Sequence, residues 1–186
     1  TTSTIYSADS NQKAIYSYDT TNKATTLASN INGQFNNLKS PTKTSGNLIY
    51  YFDNTNIIQY STENNSSILA IELNGNYAES QSMIDIYNDR VYILNTEEGN
   101  IHRHNRLTNS FGSAYSWANK NIDLSNSVDI SIDGHIYILK KNGELLILLR
   151  GENTNWKLET IEPPLTSTNK LIVSQEFNYI YILEKE

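Results

Sequence analysis

The sequence predicts an all-β fold made of four-stranded antiparallel blades, and three observations carry that reading. First, an apolar word centred on tyrosine recurs: Ile5-Tyr6-Ser7, Leu48-Ile49-Tyr50-Tyr51-Phe52, Val91-Tyr92-Ile93-Leu94, Ile136-Tyr137-Ile138-Leu139 and Ile180-Tyr181-Ile182-Leu183. Tyr6, Tyr50, Tyr92, Tyr137 and Tyr181 are spaced by 44, 42, 45 and 44 residues, the size of one blade of a β-propeller. Second, each word is flanked by further short apolar runs, separated by clusters of Gly, Asn, Asp, Ser and Thr, which is strand-and-turn grammar. Third, no apolar pattern at i, i+3, i+4, i+7 persists anywhere, and β-branched residues, Asn and 13 Tyr favour a pleated surface over a helix.

The clearest copy runs from Val128 to Leu149. It reads as three strands, Val128–Ile132, His135–Leu139 and Glu144–Leu149, joined at Asp133-Gly134 and at Lys141-Asn142-Gly143. Each joint carries a glycine where a primed hairpin turn needs a positive φ, and Asp133-Gly134 is expected to form a type I′ turn. Taking the tyrosine word as the second strand, first strands are expected at Thr42–Ser45 (weak), Met83–Ile86, Val128–Ile132 and Leu171–Ser174. Third strands fall at Ala14–Tyr18, Asn56–Tyr60, Asn100–His104 and Glu144–Leu149. Fourth strands, the most polar, fall at Ala24–Ala28, Ser67–Ile71, Ser113–Trp117 and Trp156–Ile161. The clusters Asp19–Lys23 and Glu63–Ser66 read as turns capped by their own side chains. Asn30–Lys39 reads as a connecting loop, and Pro163-Pro164 sits between repeats, where no ladder donor is needed.

One domain, 1–186, then divides into repeats 1–29 (partial), 30–73, 74–118, 119–162 and 163–186 (partial). Two readings of closure stay open: a segment of a larger propeller, or a closed four- to five-bladed ring with one redundant tyrosine strand. The start at Thr1, with no initiator Met or apolar leader, suggests a piece cut from a longer protein.

Bulk properties narrow the partners. A net charge of −6 repels phosphate backbones, so no nucleic acid partner is expected. There is no Cys, hence neither a disulfide framework nor a thiolate metal site. No apolar run approaches the roughly 18 residues of a membrane span, so no membrane insertion by this stretch is expected.

Asp133-Gly134-His135-Ile136-Tyr137-Ile138-Leu139, followed by Lys141-Asn142-Gly143-Glu144-Leu145, resembles the repeat core of NHL-type and gluconolactonase-like β-propellers. It is similar also to the degenerate propeller modules attached to bacterial membrane-associated proteins. The resemblance implies a non-enzymatic binding or scaffold module that presents loops and a channel mouth to a protein or glycan partner. As the alternative it implies a metal-dependent gluconolactonase-like hydrolase using inner-strand carboxylates. The abundance of Asn, Ile, Lys and Tyr resembles the usage of AT-rich bacterial genomes. The expected setting is therefore the cell envelope or another extracytoplasmic location of a bacterium.

Candidate site residues follow from where the repeat places or breaks side chains. Asp85 and Asp129 are read as matching places on successive first strands, whose polar positions would line a channel. Two carboxylates there could help hold Ca²⁺, which takes about six to eight oxygens; no other cofactor is suggested. The structural alternative is that each Asp accepts a backbone amide and stabilises blade packing. The corresponding places elsewhere are Thr42 or Lys43 and the region of Lys170-Leu171, which departs from a lactonase ligand ring. His102 and His104 alternate on one strand and share a face, but a zinc site needs a third ligand. With Arg103 and Arg106 beside them, the structural alternative is an exposed polar strand. Ser131-Ile132-Asp133-Gly134 lacks the spacing and tryptophan of a sialidase Asp-box. There is no Gly-x-Ser-x-Gly elbow, phosphate loop or dinucleotide fingerprint, so no residue is assigned a catalytic role. The five tyrosines obey the repeat and are expected to pack between blades. The residues that break it are the better ligand-binding candidates: Trp117 and Trp156, with Phe111, Tyr115 and the His102–Arg106 run.

Overall fold

The structure, a computed structural model, describes residues 4–9, 11–30, 39–43, 46–53, 56–73, 82–108, 110–119, 121–156, 165, 167–174 and 179–184. Among them are seventeen strands and no helix, and every sheet is an antiparallel meander in chain order. Blade 1 is β1 (Thr4–Asp9), β2 (Ala14–Asp19) and β3 (Ala24–Asn30). Blade 2 is β4 (Lys39–Lys43), β5 (Leu48–Phe52), β6 (Asn56–Ser61) and β7 (Ser66–Glu72). Blade 3 is β8 (Ser82–Tyr87), β9 (Arg90–Asn95), β10 (Asn100–Asn105) and β11 (Tyr115–Ser116). Blade 4 is β12 (Ser127–Ile132), β13 (Ile136–Lys140), β14 (Leu145–Leu149) and β15 (Glu152–Asn153). Blade 5 is β16 (Thr168–Ser174) and β17 (Tyr179–Glu184). The tyrosine word is the second strand of blades 2 to 4, lying between a first and a third strand in each.

One turn design joins many of these strands. The side-chain oxygen of Asp9 accepts the N–H groups of Asn11 and Gln12. Asp19 does the same for Thr21 and Asn22, Asn95 for Glu97 and Glu98, and Ser61 for Asn64. Each of these four-residue loops ends on a left-handed residue: Lys13, Lys23, Gly99 and Asn65, with φ of 51°, 53°, 63° and 49°. The capping side chain satisfies donors that the ladder cannot reach.

Three expectations are corrected by the observed turns. Asp133-Gly134 is not a type I′ turn: three residues separate the paired Ile132 and Ile136, and of them only Gly134 has a positive φ. Asp133 instead accepts the His135 N–H and the Tyr137 hydroxyl. The two-residue loops with both φ positive are Asn88-Asp89 and Arg150-Gly151, which close the Tyr87–Arg90 and Leu149–Glu152 pairs. Because the chain reverses at Arg150-Gly151, the fourth strand of blade 4 is Glu152–Asn153 and Trp156 lies beyond it; residues 157–161 lie outside the described residues. A Cβ on Gly151 would sit 2.7 Å from the Trp117 carbonyl oxygen, so that turn admits only glycine. In blade 2 the first strand begins at Lys39 rather than Thr42 and takes in Pro41 at a bulge, where a missing donor is tolerated. Of the expected loops and strand ends, 31–38, Ser45 and Pro163-Pro164 lie outside the described residues.

The chain forms two compact bodies, Thr1–Glu79 with Asn109–Phe111, and Ser80–Thr108 with Gly112–Glu186. In the first, blades 1 and 2 share a core of Ile15, Tyr51, Ile58 and Tyr60, flanked by Tyr6, Ala8, Ala28 and Ile49. Tyr6 meets Tyr60 with ring centroids 5.6 Å apart. In the second, Tyr92, Leu94 and Ile101 of blade 3 pack with Ile130, Ile136, Ile138, Leu146 and Leu148 of blade 4. The same joint recurs one blade later: Tyr137, Leu139 and Leu145 meet Leu171, Val173, Ile180 and Ile182. A Tyr-x-Leu face of one blade thus covers the Ile-x-Ile face of the next. Each buried aliphatic side chain contributes about 1.5–3 kcal/mol.

Candidate functional site

Pairing through the sheets fixes where the candidate carboxylates stand. Taking each tyrosine as reference, its partner on the first strand is Thr42 for Tyr50, Asp85 for Tyr92, Ser131 for Tyr137 and Ile172 for Tyr181. Asp129 pairs instead with Leu139, the place held by Met83 opposite Leu94 and by Lys170 opposite Leu183. Asp85 and Asp129 therefore do not match. They share a face parity but sit two residues apart in register, and each row carries a single carboxylate.

Asp129 is 3% exposed and both its oxygens are engaged. One accepts the Leu171 N–H at 2.7 Å, the other the Lys170 ammonium at 3.0 Å. Two residues on, the Ser131 hydroxyl oxygen accepts the Val173 N–H at 3.2 Å. Side chains at alternate positions of β12 thereby cap successive donors on the open edge of β16, an edge that would otherwise be left unpaired. Asp85 accepts the N–H of its own neighbour Ile86 at 2.7 Å. Among the described residues no group of three or more His, Cys, Asp and Glu side chains is placed to hold a metal ion.

The residues that break the repeat gather chiefly on blade 3. Arg103 pairs with Tyr92 on one side and Tyr115 on the other. Its guanidinium carbon lies 4.5 Å from the Tyr115 ring centroid and 5.9 Å from that of Tyr92, a cation–π ladder across three strands. Trp117 closes the ladder edge-on to Tyr92 at 6.1 Å and is half-buried against the core. On the opposite face His102 meets Glu98 at 2.6 Å, while His104 is buried with Nδ1 donating to the Gly112 carbonyl at 2.9 Å. Nε2 of His104 has no partner among the described residues, and burial holds this imidazole's pKa below its ordinary value. The two histidines are thus committed to different partners. Phe111 packs edge-on to Tyr50 at 6.0 Å in the first body.

Trp156 is different in kind. It is 43% exposed, and it follows a loop in which Asn153 accepts the Asn155 N–H and the Thr154 hydroxyl oxygen accepts the Trp156 N–H. Asn155 is held at φ 57°, which turns the chain and sets the indole on the surface. Sequence reasoning found both tryptophans but not Arg103 as the residue that ties Tyr92 to Tyr115. The signal available was a cation flanked by histidines, on a third strand whose counterpart in blade 4, Leu145–Leu149, is apolar throughout.

These blades define a class, an all-β fold of antiparallel propeller-type sheets with propeller-like structural neighbours. The chain is similar to one in the crystal structure of a nidogen/laminin complex, with TM-score 0.59 and 10% identity over 82% of this chain and 58% of that one. It is similar to the computationally designed Ika8 protein, with TM-score 0.57 and 13% identity over 94% of this chain and 51% of that one. It is similar also to an auxiliary nutrient binding protein from Bacteroides thetaiotaomicron, with TM-score 0.59 and 11% identity over 95% of this chain and 55% of that one. Likeness at these identities shows the fold, and this chain spans 51% to 58% of the length of those chains. No family model and no curated protein matches it.

Proposed function

We propose that this chain is a non-enzymatic propeller-type module that presents its loops to a protein or glycan partner, outside the cytoplasm of a bacterium. The observation that carries the reading is Trp156, an exposed indole on a loop with the exposed polar residues Glu152, Asn153, Thr154 and Asn155. A rigid aromatic plate ringed by amides and a hydroxyl supplies stacking area and directed hydrogen bonds together, the chemistry of a recognition anchor. The printed titles of two similar structures, a nidogen/laminin complex and a nutrient binding protein, are in keeping with a binding role.

The metal-dependent hydrolase reading is the weaker one. It needs Asp85 and Asp129 in one ligand ring, and Asp129 already spends both oxygens on β16. The test is to screen the purified chain against immobilised glycans and extracellular protein ligands, with Trp156→Ala as the control. Retention that the substitution abolishes is expected. Turnover of lactones or phosphoesters by the purified chain, dependent on added Ca²⁺ or Zn²⁺, would overturn the proposal.

A further inference from the structure

The third residue after the tyrosine of each word sits at or next to the end of its strand, and one blade breaks the pattern there. After Tyr6, Tyr50, Tyr92 and Tyr181 that residue is Asp9, Asp53, Asn95 and Glu184, each with a side-chain oxygen to offer the backbone. Asp9 and Asn95 each cap two loop N–H groups. After Tyr137 it is Lys140, whose side chain is only 7% exposed, and an ammonium can cap no N–H. Capping in this blade passes to Asn142, whose side-chain oxygen accepts the Glu144 N–H at 3.1 Å. The Lys140 ammonium donates instead to the Asp123 carboxylate at 2.9 Å, and the Asp123 side chain itself stands 73% exposed.

Around this ion pair blade 4 is hollowed into a recess of about 410 Å³, within the size range of small-ligand sites. It is lined by Asp123, Asn126, Lys140, Lys141, Asn142 and Glu144, all within the second body. Backbone bonds fix its walls. The Lys141 N–H donates to the Asn126 carbonyl at 2.9 Å, and the Lys140 N–H to that of Glu144 at 2.8 Å. Asp123 accepts the hydroxyl and the N–H of Ser125 at 2.6 and 2.9 Å. Those bonds, with the Lys140 ammonium, hold its carboxyl well below the usual carboxylate range, so it stays an acceptor.

Two carboxylates and two ammonium groups cancel, so the recess selects an ion of neither sign. It offers acceptors on Asp123 and Glu144 beside donors on Lys141, Asn126 and Asn142. Among the described residues the Lys141 ammonium, the Asn126 amide and the Glu144 carboxylate are uncommitted. Vicinal hydroxyl groups each donate and accept, which suits such a mixture of fixed partners. We propose that this recess holds one sugar residue of a neutral glycan. The proposal rests on the glycan side of the function proposed above and adds a contact that does not use Trp156.

The test is amide chemical-shift mapping on the isotope-labelled chain. It is titrated with D-glucose, D-galactose, D-mannose and N-acetyl-D-glucosamine, and with glycine and inorganic phosphate as charged controls. At least one sugar is expected to shift the amides of 123–126 and 140–144 together and saturably, with no response to either control. Lys141→Ala and Glu144→Ala should each weaken that binding about tenfold, as the loss of a hydrogen bond to a charged group does. Far-ultraviolet circular dichroism should be unchanged in both, because both residues are exposed. Trp156→Ala should leave the sugar response intact. Silence towards every sugar overturns the proposal, as does binding that both substitutions spare, or a response to glycine or phosphate in place of sugar. Trp156-dependent retention on a protein ligand would survive each of those results, so this failure is distinct from failure of the function proposed above.

Discussion

Tyr92 and Tyr181 occupy the same place in the same word of the same repeat, yet one is 5% and the other 51% exposed. Leu94 and Leu183, two residues on, differ more, at 0% and 61%. Strand propensity is alike at both places; what separates them is the surroundings. Strand β9 is paired on both sides and faced by blade 4, whereas among the described residues β17 pairs with β16 alone. Blade 4 covers the first pair with Ile130, Ile136 and Ile138, and among the described residues of the same body no comparable face covers the second. The tyrosine word therefore stabilises the fold through its neighbour rather than through its own strand. Stability in such a stack is the sum of blades and the joints between them.

The largest expected effect tests that contrast. Leu94→Ala should cost about 2–5 kcal/mol, as large-to-small changes in a packed core do, whereas Leu183→Ala should stay within about 0.5 kcal/mol. Urea titration of both variants measures it, and equal losses would break the comparison. Next comes the clamp on β16. Asp129→Ala strands the buried Leu171 N–H and should cost about 1–3 kcal/mol, against about 0.5–1.5 kcal/mol for Ser131→Ala. A neutral Asp129→Ala would show that the capped edge adds nothing.

A smaller effect concerns pH. His104 is buried as the neutral imidazole, with its pKa lowered by burial from 6.5. The unfolded chain takes up a proton near pH 6.5 while the folded chain resists it, so the unfolded state binds more protons there. Stability should therefore fall as pH drops through this range and level off once the folded imidazole itself titrates. His104→Phe should remove that part of the slope in denaturation midpoints taken between about pH 7.5 and 5.5. A slope unchanged by the substitution would contradict the burial argument. Trp156→Ala should shift stability by no more than about 0.5 kcal/mol and act on partner binding alone.

Much of the fold was legible in the sequence because period and alternation are local. The tyrosine words and third strands needed only neighbours in sequence to be found. The fourth strands were less legible: β11 and β15 are two residues each, too short for alternation to show. The turns Asn88-Asp89 and Arg150-Gly151 lack the Asn-Gly marker, and Asp133-Gly134 is the more conspicuous turn signal in the sequence. That choice bore on the candidate site. A two-residue turn after Tyr87 and a three-residue loop after Ile132 set different registers, so Asp85 and Asp129 aligned in the sequence but not across the sheets. The Arg103 ladder depends on how β11 pairs with β10, a long-range register that the sequence does not spell out.

The central claim is that consecutive blades are held by the tyrosine-word face of one against the following sheet. A double-mutant cycle on Leu139→Ala and Leu171→Ala, buried on either side of the joint between blades 4 and 5, tests it most directly. The account predicts a coupling of about 0.5–3 kcal/mol, as for residues that share a packed contact. Losses that add to within about 0.3 kcal/mol would mean the two side chains do not share a core, and would contradict it.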